Sequence, residues 1–317
     1  MLRIREFERG HDEPIWINIL NAAYNKFRDW RTITAEEIIR EEEKLNLPYD
    51  QKWVAELNGR PVGTIRAFVQ TAEDKRKGFI DDLGVIPESQ GLGVEEKLVK
   101  FAANQLEKQE VETILVPRLR WPDPTGGNSA EFLERLGFKL TRMTSLMEID
   151  LLKIPNNIVR NKQVTVGQLR KHVKEDVERL NWIRNESSKG QFNFRPSTVR
   201  EIEYLLQNNS YSFLKAFFAI LKGNHVGLLV LAIDEKYNIE KNLRVGIILA
   251  VGVLKNHRKT GIGTRLVLHG LGVLKKKQMT KVALDVDDLN QTRAKKLYEK
   301  IGFKVIEKYL TYEKTID

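Results

Sequence analysis

Two stretches of this chain carry residues whose types and spacing suit chemistry. The first is Val253-Leu-Lys-Asn-His-Arg258-Lys-Thr-Gly261-Ile-Gly263-Thr-Arg-Leu266, an apolar strand that runs through a basic, glycine-bearing turn into a helix. Such a turn aims several backbone N–H groups and the positive end of a helix at one spot, and its glycines let a phosphate come close. The turn Arg258, Lys259, Thr260, Gly261, Ile262, Gly263, Thr264 is therefore a candidate anion cradle. It is not a dinucleotide fingerprint or a P-loop, because neither G-x-G-x-x-G nor G-x-x-x-x-G-K-[ST] occurs. The second stretch, Asn290-Gln-Thr-Arg-Ala294-Lys-Lys-Leu297-Tyr298-Glu-Lys-Ile-Gly302-Phe303, puts a phenol on a short helix behind an asparagine. Packing alone accounts for Tyr298 on a face with Ala294, Leu297 and Ile301, and helix capping accounts for Asn290.

Other chemistries lose support by inspection. With no cysteine there is no disulfide, thiolate metal site or cysteine nucleophile. His11, His172, His225, His257 and His269 are scattered without ligand spacing, and neither H-E-x-x-H nor G-x-S-x-G is present, so no metal is expected. His257 beside Arg258 could approach a phosphate, although a solvated turn histidine is the commoner outcome. The formal charge of +10 favours anionic ligands and keeps nucleic acid open as a partner, yet no segment interleaves aromatics with a basic stripe. The longest uncharged apolar run, Val245 to Leu254, is far short of the ~18 residues of a membrane span, so a soluble cytoplasmic protein and no membrane partner are expected.

The elements that must position these stretches occur twice. Val54–Gly63 echoes Phe218–Gly227, Val85–Gly93 echoes Val253–Gly261, and Phe132–Phe138 echoes Leu297–Phe303, at offsets of 164, 168 and 165. The chain reads as a tandem duplication with its seam in Lys153–Lys162, giving domains 1–152 and 153–317. Each half predicts β-α-α-β-β-β-α-β-α-β: a first strand (Leu2–Phe7; Gln163–Gln168), an amphipathic helix, and a second helix opened by Thr34-Ala-Glu-Glu37 or near Ser197. A glycine-turn hairpin, a strand, a long helix (about Gly261 to Lys277), the buried strand Val282–Val286, a short helix and a final strand pair follow. The fold class is α/β, with a mixed sheet in each half flanked by helices.

The spacing Arg258-x-x-Gly261-x-Gly263 after a valine-rich strand resembles the acyl-CoA loop of the GCN5-related N-acetyltransferase (GNAT) superfamily, and Asn290–Phe303 resembles that family's second motif. The tandem layout resembles that of the mycothiol synthases. The resemblance implies two GNAT-like domains, each with a mixed, mostly antiparallel sheet. It implies acetyl-CoA as co-substrate on Val251, Val253, Arg258–Thr264 and Asn290, an N–H near Val253 for the oxyanion, and Tyr298 as general acid. The acceptor would be the amine of a small molecule or peptide, attacking directly. Many relatives carry a carboxylate base on the strand before the loop; Gly246–Gly252 has none, which leaves water or Asp234, Asp287 or Asp288. In the first half, Gln90-Gly-Leu-Gly93-Val-Glu95 puts a carboxylate where the family has a small residue, Leu133 replaces Tyr298 and Thr125 replaces Asn290. The N-terminal domain is therefore expected to be degenerate and the C-terminal domain active. The rival expectation is a non-catalytic acetyl-CoA sensor or scaffold with a basic, nucleic-acid-contacting surface.

Overall fold

The computed structural model describes residues 1–42, 49–119, 131–154, 163–207 and 210–316. Thr125 and most of the expected seam lie outside the described residues. The chain divides into two compact units, Met1–Met143 with Tyr309–Asp317, and Thr144–Lys308.

In the first unit the order is β1 (Leu2–Glu6), α1 (Glu13–Tyr24), α2 (Ala35–Glu42), β2 (Tyr49–Leu57), β3 (Arg60–Ala72), β4 (Lys75–Val85), α3 (Val94–Glu107), β5 (Thr113–Leu119), α4 (Glu131–Arg135) and β6 (Lys139–Asp150). The second follows with β7 (Val164–Gln168), α5 (Lys174–Ser188), α6 (Val199–Leu206), β8 (Phe213–Leu221), β9 (Asn224–Ile233), α7 (Glu235–Glu240), β10 (Val245–Val253), α8 (Ile262–Lys276), β11 (Lys281–Asp287), α9 (Ala294–Ile301) and β12 (Lys304–Thr315). Both follow the expected order, with α7 as an addition. Asp234 caps α7 by accepting from the Tyr237 N–H at 2.9 Å, and the buried Asn238 amide holds both backbone groups of Val245 at 2.9 and 3.0 Å, fixing where β10 begins.

The expected final strand pair is instead one long strand in each half, β6 and β12, each of 12 residues. That is about twice the usual strand length. The boundary between the units falls within each strand, after Met143 in β6 and after Lys308 in β12. Thr144–Asp150 pairs antiparallel with β11, and Met147 and Ile149 enter the second core; Leu310–Thr315 pairs antiparallel with β5, and Tyr312 enters the first. The first unit's sheet runs β1-β2-β3-β4-β5-β12 and the second's β6-β11-β10-β9-β8-β7.

In the second unit, α8 packs on Leu229 and Leu231 of β9, while α5 and α6 pack on Leu228 and Val230. The period of two along a strand explains this: successive β9 side chains feed opposite faces, and an uninterrupted apolar run is what a strand covered on both sides requires. α6 starts with a complete capping box between Thr198 and Glu201. At α2, the Glu37 carboxylate accepts from the Thr34 N–H at 3.1 Å, as its sequence predicts.

Candidate active site

Within the second unit, β10 and β11 are parallel neighbours over only three residues, Val245–Ile247 against Lys281–Ala283. Past that point they part. β10 stays paired to β9 on its other edge through Val253, with a register shift between Ile248 and Ala250 that marks a bulge. A bulge adds local twist and turns a strand away from its neighbour. The Leu254 N–H donates to Val226 of β9 at 3.0 Å, so alternation along the strand turns the backbone groups of Val251 and Val253 to the opposite edge, where β11 has left. Val251 thus turns both its backbone groups, and Val253 its N–H, toward a cleft; the Val253 carbonyl accepts from Arg258.

The turn after β10 follows the sequence reading in its backbone. Lys259 has φ +61° and Gly261 φ +83°, the left-handed conformation that curls a turn around an anion. The first intrahelical bond of α8 is Arg265 N–H to Gly261 at 3.0 Å, so the N–H groups of Ile262, Gly263 and Thr264 have no acceptor within the helix. No side chain caps this end and its first turn holds no acid. A Cβ on Gly263 would find no heavy atom nearer than 3.8 Å, the distance to Leu297, so the cradle has room above it.

Two residues of the motif are turned differently from a direct anion contact. The Arg258 guanidinium folds back to donate to the Val253 carbonyl at 3.0 Å and the Ser187 carbonyl at 2.8 Å, bracing the loop and the end of α5. The Thr260 hydroxyl donates to the His257 carbonyl at 2.7 Å.

Behind the cleft, α9 presents Tyr298, 7 % exposed and edge-on to Phe303. Its hydroxyl makes no hydrogen bond to a described residue, and burial pushes its pKa up to about 12. Asn290 lies in the β11–α9 connection, but it is not the helix cap. That place is taken by Arg293 in a left-handed conformation, while the Asn290 amide oxygen accepts from the Thr292 N–H at 2.8 Å. Asn290 therefore shapes the turn ahead of α9.

Each carboxylate considered as a base is engaged elsewhere. Asp234 caps α7, and Asp287 accepts from the Leu289 N–H at 2.9 Å. Burial alone would raise the Asp288 pKa, but hydrogen bonds from Lys295, Ser145 and Lys308 outweigh it and hold the carboxyl below its ordinary value. Among the described residues no group of three or more His, Asp or Glu side chains could hold a metal. Among the described residues no helix is long and apolar enough to cross a membrane.

The first unit repeats the frame and fills it with its own side chains. β4 and β5 likewise pair over only Lys77–Phe79 and Thr113–Leu115. Gln90 takes the place of Arg258 and makes the same bond, donating to the Val85 carbonyl at 2.9 Å. Gly91 and Gly93 have φ +73° and +77°, matching Lys259 and Gly261. At the position of Gly263 stands Glu95, 3 % exposed, whose carboxylate accepts from the Gly91 N–H at 3.1 Å. Burial raises its pKa, and its own N–H and that of Gly91 offset part of that rise. The carboxylate is an internal substitute for a bound anion. The Tyr24 hydroxyl donates to the Leu83 carbonyl, the counterpart of Val251, and Leu133, fully buried, stands in place of Tyr298. The sequence drew attention to Glu95 and Leu133; Tyr24 was missed, since it lies some sixty residues from its partner and in no motif.

The sequence pattern of the acetyltransferase (GNAT) family matches residues 16–138 and 177–303, once in each half. The chain belongs to this family. A mycothiol acetyltransferase of Streptomyces griseus subsp. griseus is 24 % identical over 151 residues, which are 47 % of this chain and 45 % of that enzyme, so the match spans less than half of the relative. A GCN5-related N-acetyltransferase from Sphaerobacter thermophilus superposes with a TM-score of 0.67 at 20 % identity, covering 99 % of this chain and 95 % of that one. A tandem GNAT protein from the clavulanic acid biosynthesis pathway superposes with a TM-score of 0.74 at 15 % identity, covering 99 % and 98 %. At such identities the structures share the fold, two GNAT domains in tandem.

The filled GNAT cradle carries a testable consequence. A folded-state pKa above the unfolded value means that Glu95 binds its proton more tightly when folded, so its ionisation costs stability as pH rises through the folded pKa. Glu95→Gln keeps an oxygen acceptor and removes the charge. It is expected to raise the melting temperature at pH 7, because burial penalises the charged form that the substitution removes. The gain should vanish below the ordinary carboxylate pKa, and a thermal-melt series from pH 4 to 8 reads both.

Proposed function

We propose that the protein is an acetyl-CoA-dependent N-acetyltransferase whose second unit transfers the acetyl group to an amine by direct attack. The observation that carries this reading is the contrast between two equivalent cradles: one is closed by Glu95, and the other is uncapped, acid-free and open above Gly263. Backbone amides at Gly261–Thr264 would receive the diphosphate, with Lys259 adding positive charge at the turn. Val251 and Val253 would hold the amide-bearing arm as a neighbouring strand would, with Asn290 at its far side. The thioester then lies in the parting between β10 and β11, near Tyr298.

In the transfer, the amine nitrogen bonds to the thioester carbon, negative charge builds on the carbonyl oxygen near the Val253 N–H, and the C–S bond breaks. The sulfur leaves with the bonding electrons and ends as a thiol. Tyr298 would donate a hydrogen bond to that sulfur. A phenol near pKa 12 facing a thiol of ~8.5 leaves proton transfer uphill by about 3.5 units, or ~5 kcal/mol. Apolar surroundings that raise the phenol also raise a thiol beside it, which narrows the gap. The ammonium loses one proton before attack and the adduct nitrogen a second, both to water because every carboxylate considered has a structural partner; the sulfur takes up one proton through Tyr298, which is reprotonated from solvent, so one proton is released overall.

Two measurements test the reading. Calorimetry is expected to show one tight acetyl-CoA site per chain, whereas two equivalent sites contradict the role given to Glu95. A panel of amines should include one that releases free CoA; binding without release for every amine would favour a sensor or scaffold.

A further inference from the structure

The two faces of β10 have different neighbours. Val253 lies toward Gly263 on the side of α8, where Tyr298 also packs in the core. Gly252 faces α5, and a Cβ there would collide with the Ser187 hydroxyl. If the acyl donor occupies the α8 side and the parting, as proposed above, the acceptor approaches on the α5 side.

The duplication shows what is unusual on that side. In the first unit, α1 covers Gly84 with Leu20 and Ala23; Leu20 is 2 % exposed, and a Cβ on Gly84 would lie 2.9 Å from its Cδ2. At the offset of 164 their counterparts on α5 are Arg184 and Ser187. A sealing leucine has been replaced by an exposed arginine, one turn before Ser187 and on its face of the helix. The Ser187 carbonyl is tied to the cradle loop through Arg258, so this part of α5 is held against the site.

The Arg184 guanidinium has no hydrogen bond or ion pair among the described residues. Its nearest acid by charge interaction, Glu201, is already taken by Arg195 and by the Thr198 N–H. Surrounding protein strips enough water to lower the Arg184 pKa, with Arg195 adding to the effect. An exposed guanidinium without a partner is available to an anion, and its planar fork matches a carboxylate or phosphate in two parallel hydrogen bonds.

We infer that Arg184 selects amine acceptors that also carry an anionic group, a carboxylate or a phosphate, by pairing with that group on the α5 side of the cleft. The inference rests on the acetyltransferase reading. It is tested with matched acceptor pairs, amino acids against their carboxamides and amino sugars against their 6-phosphates, followed by CoA release. The anionic member of at least one pair is expected to have the higher kcat/KM by roughly 10- to 100-fold, and the pair that discriminates identifies the anion. Arg184→Leu, the residue that packs at this place in the sister unit, should bring the anionic member down to its neutral partner through the acceptor KM. The acetyl-CoA KM should stay within a factor of two, and Arg184→Lys should restore part of the discrimination. CoA release without charge discrimination in any pair overturns the inference and leaves the acetyltransferase reading standing. A change in the acetyl-CoA KM in place of the acceptor KM also overturns it. Absence of acetyl-CoA binding by calorimetry, or of CoA release with every amine, overturns both.

Discussion

Tyr298→Phe lowers kcat by about 10²-fold or more and leaves acetyl-CoA affinity within a factor of two. The expectation follows from what the substitution removes. Phenylalanine keeps the ring that packs against Phe303 in the second core, so the fold and the cleft wall persist. Only the hydroxyl is lost, and in the protein that hydroxyl has no described partner to leave unsatisfied. A donor that acts only as charge develops on the leaving sulfur affects the transition state far more than the bound ground state, which is the signature of a fall in kcat without a rise in KM. The size is that of a typical general acid, roughly 10²–10⁴-fold. The raised pKa adds a second readout. Tyr298 keeps its proton until about pH 12, so any alkaline limb of the rate profile below that pH belongs to another group and should be identical in the variant. Steady-state kinetics across pH 6–10 measure both, and unchanged turnover would remove Tyr298 from the mechanism.

Gly263→Glu is the second large effect: it should weaken acetyl-CoA binding by roughly 10²–10³-fold. The first unit shows what the new side chain would do. With matching φ values in both loops, a glutamate here can accept the Lys259 N–H as Glu95 accepts that of Gly91, closing the cradle with an internal carboxylate. A carboxylate about 4 Å from a phosphate costs ~4 kcal/mol at an effective dielectric near 20, which sets the upper end of the range. Gly263→Ala is the control. Gly263 is not in the left-handed region, and an added methyl meets nothing closer than 3.8 Å, so this variant should bind acetyl-CoA nearly as the parent does. Titration calorimetry on the two variants separates charge from bulk; equal binding by all three proteins would empty the cradle of its assigned role.

Local patterns in the sequence were enough for the duplication, the order of elements and the open turn. Those features depend on neighbours in the chain: glycines where φ is positive, apolar periodicity of two or 3.6, and an N-cap without a side chain. Glu95 was legible for the same reason, since helix geometry alone returns a first-turn carboxylate to the amides before it. Asn290 shows the limit of such reading. It stands before a helix as a cap would, yet the cap falls three residues later at Arg293, because the side chain closes its own turn with Thr292 first.

Partnership between distant residues was decided by the tertiary structure. Arg258 reads as an anion ligand in sequence, but two carbonyls, one of them on α5, claim its guanidinium. Asp288 reads as a spare acid, but Ser145, Lys295 and Lys308 converge on it from three other elements. That β6 feeds the second core and β12 the first was equally hidden, because each is an uninterrupted 12-residue strand with no local mark of the core it joins. Backbone conformation is set by nearest neighbours and so is written along the chain. Which charge meets which, and which strand edge is left open, depends on contacts across tens to hundreds of residues, and these exist only once the sheets have formed.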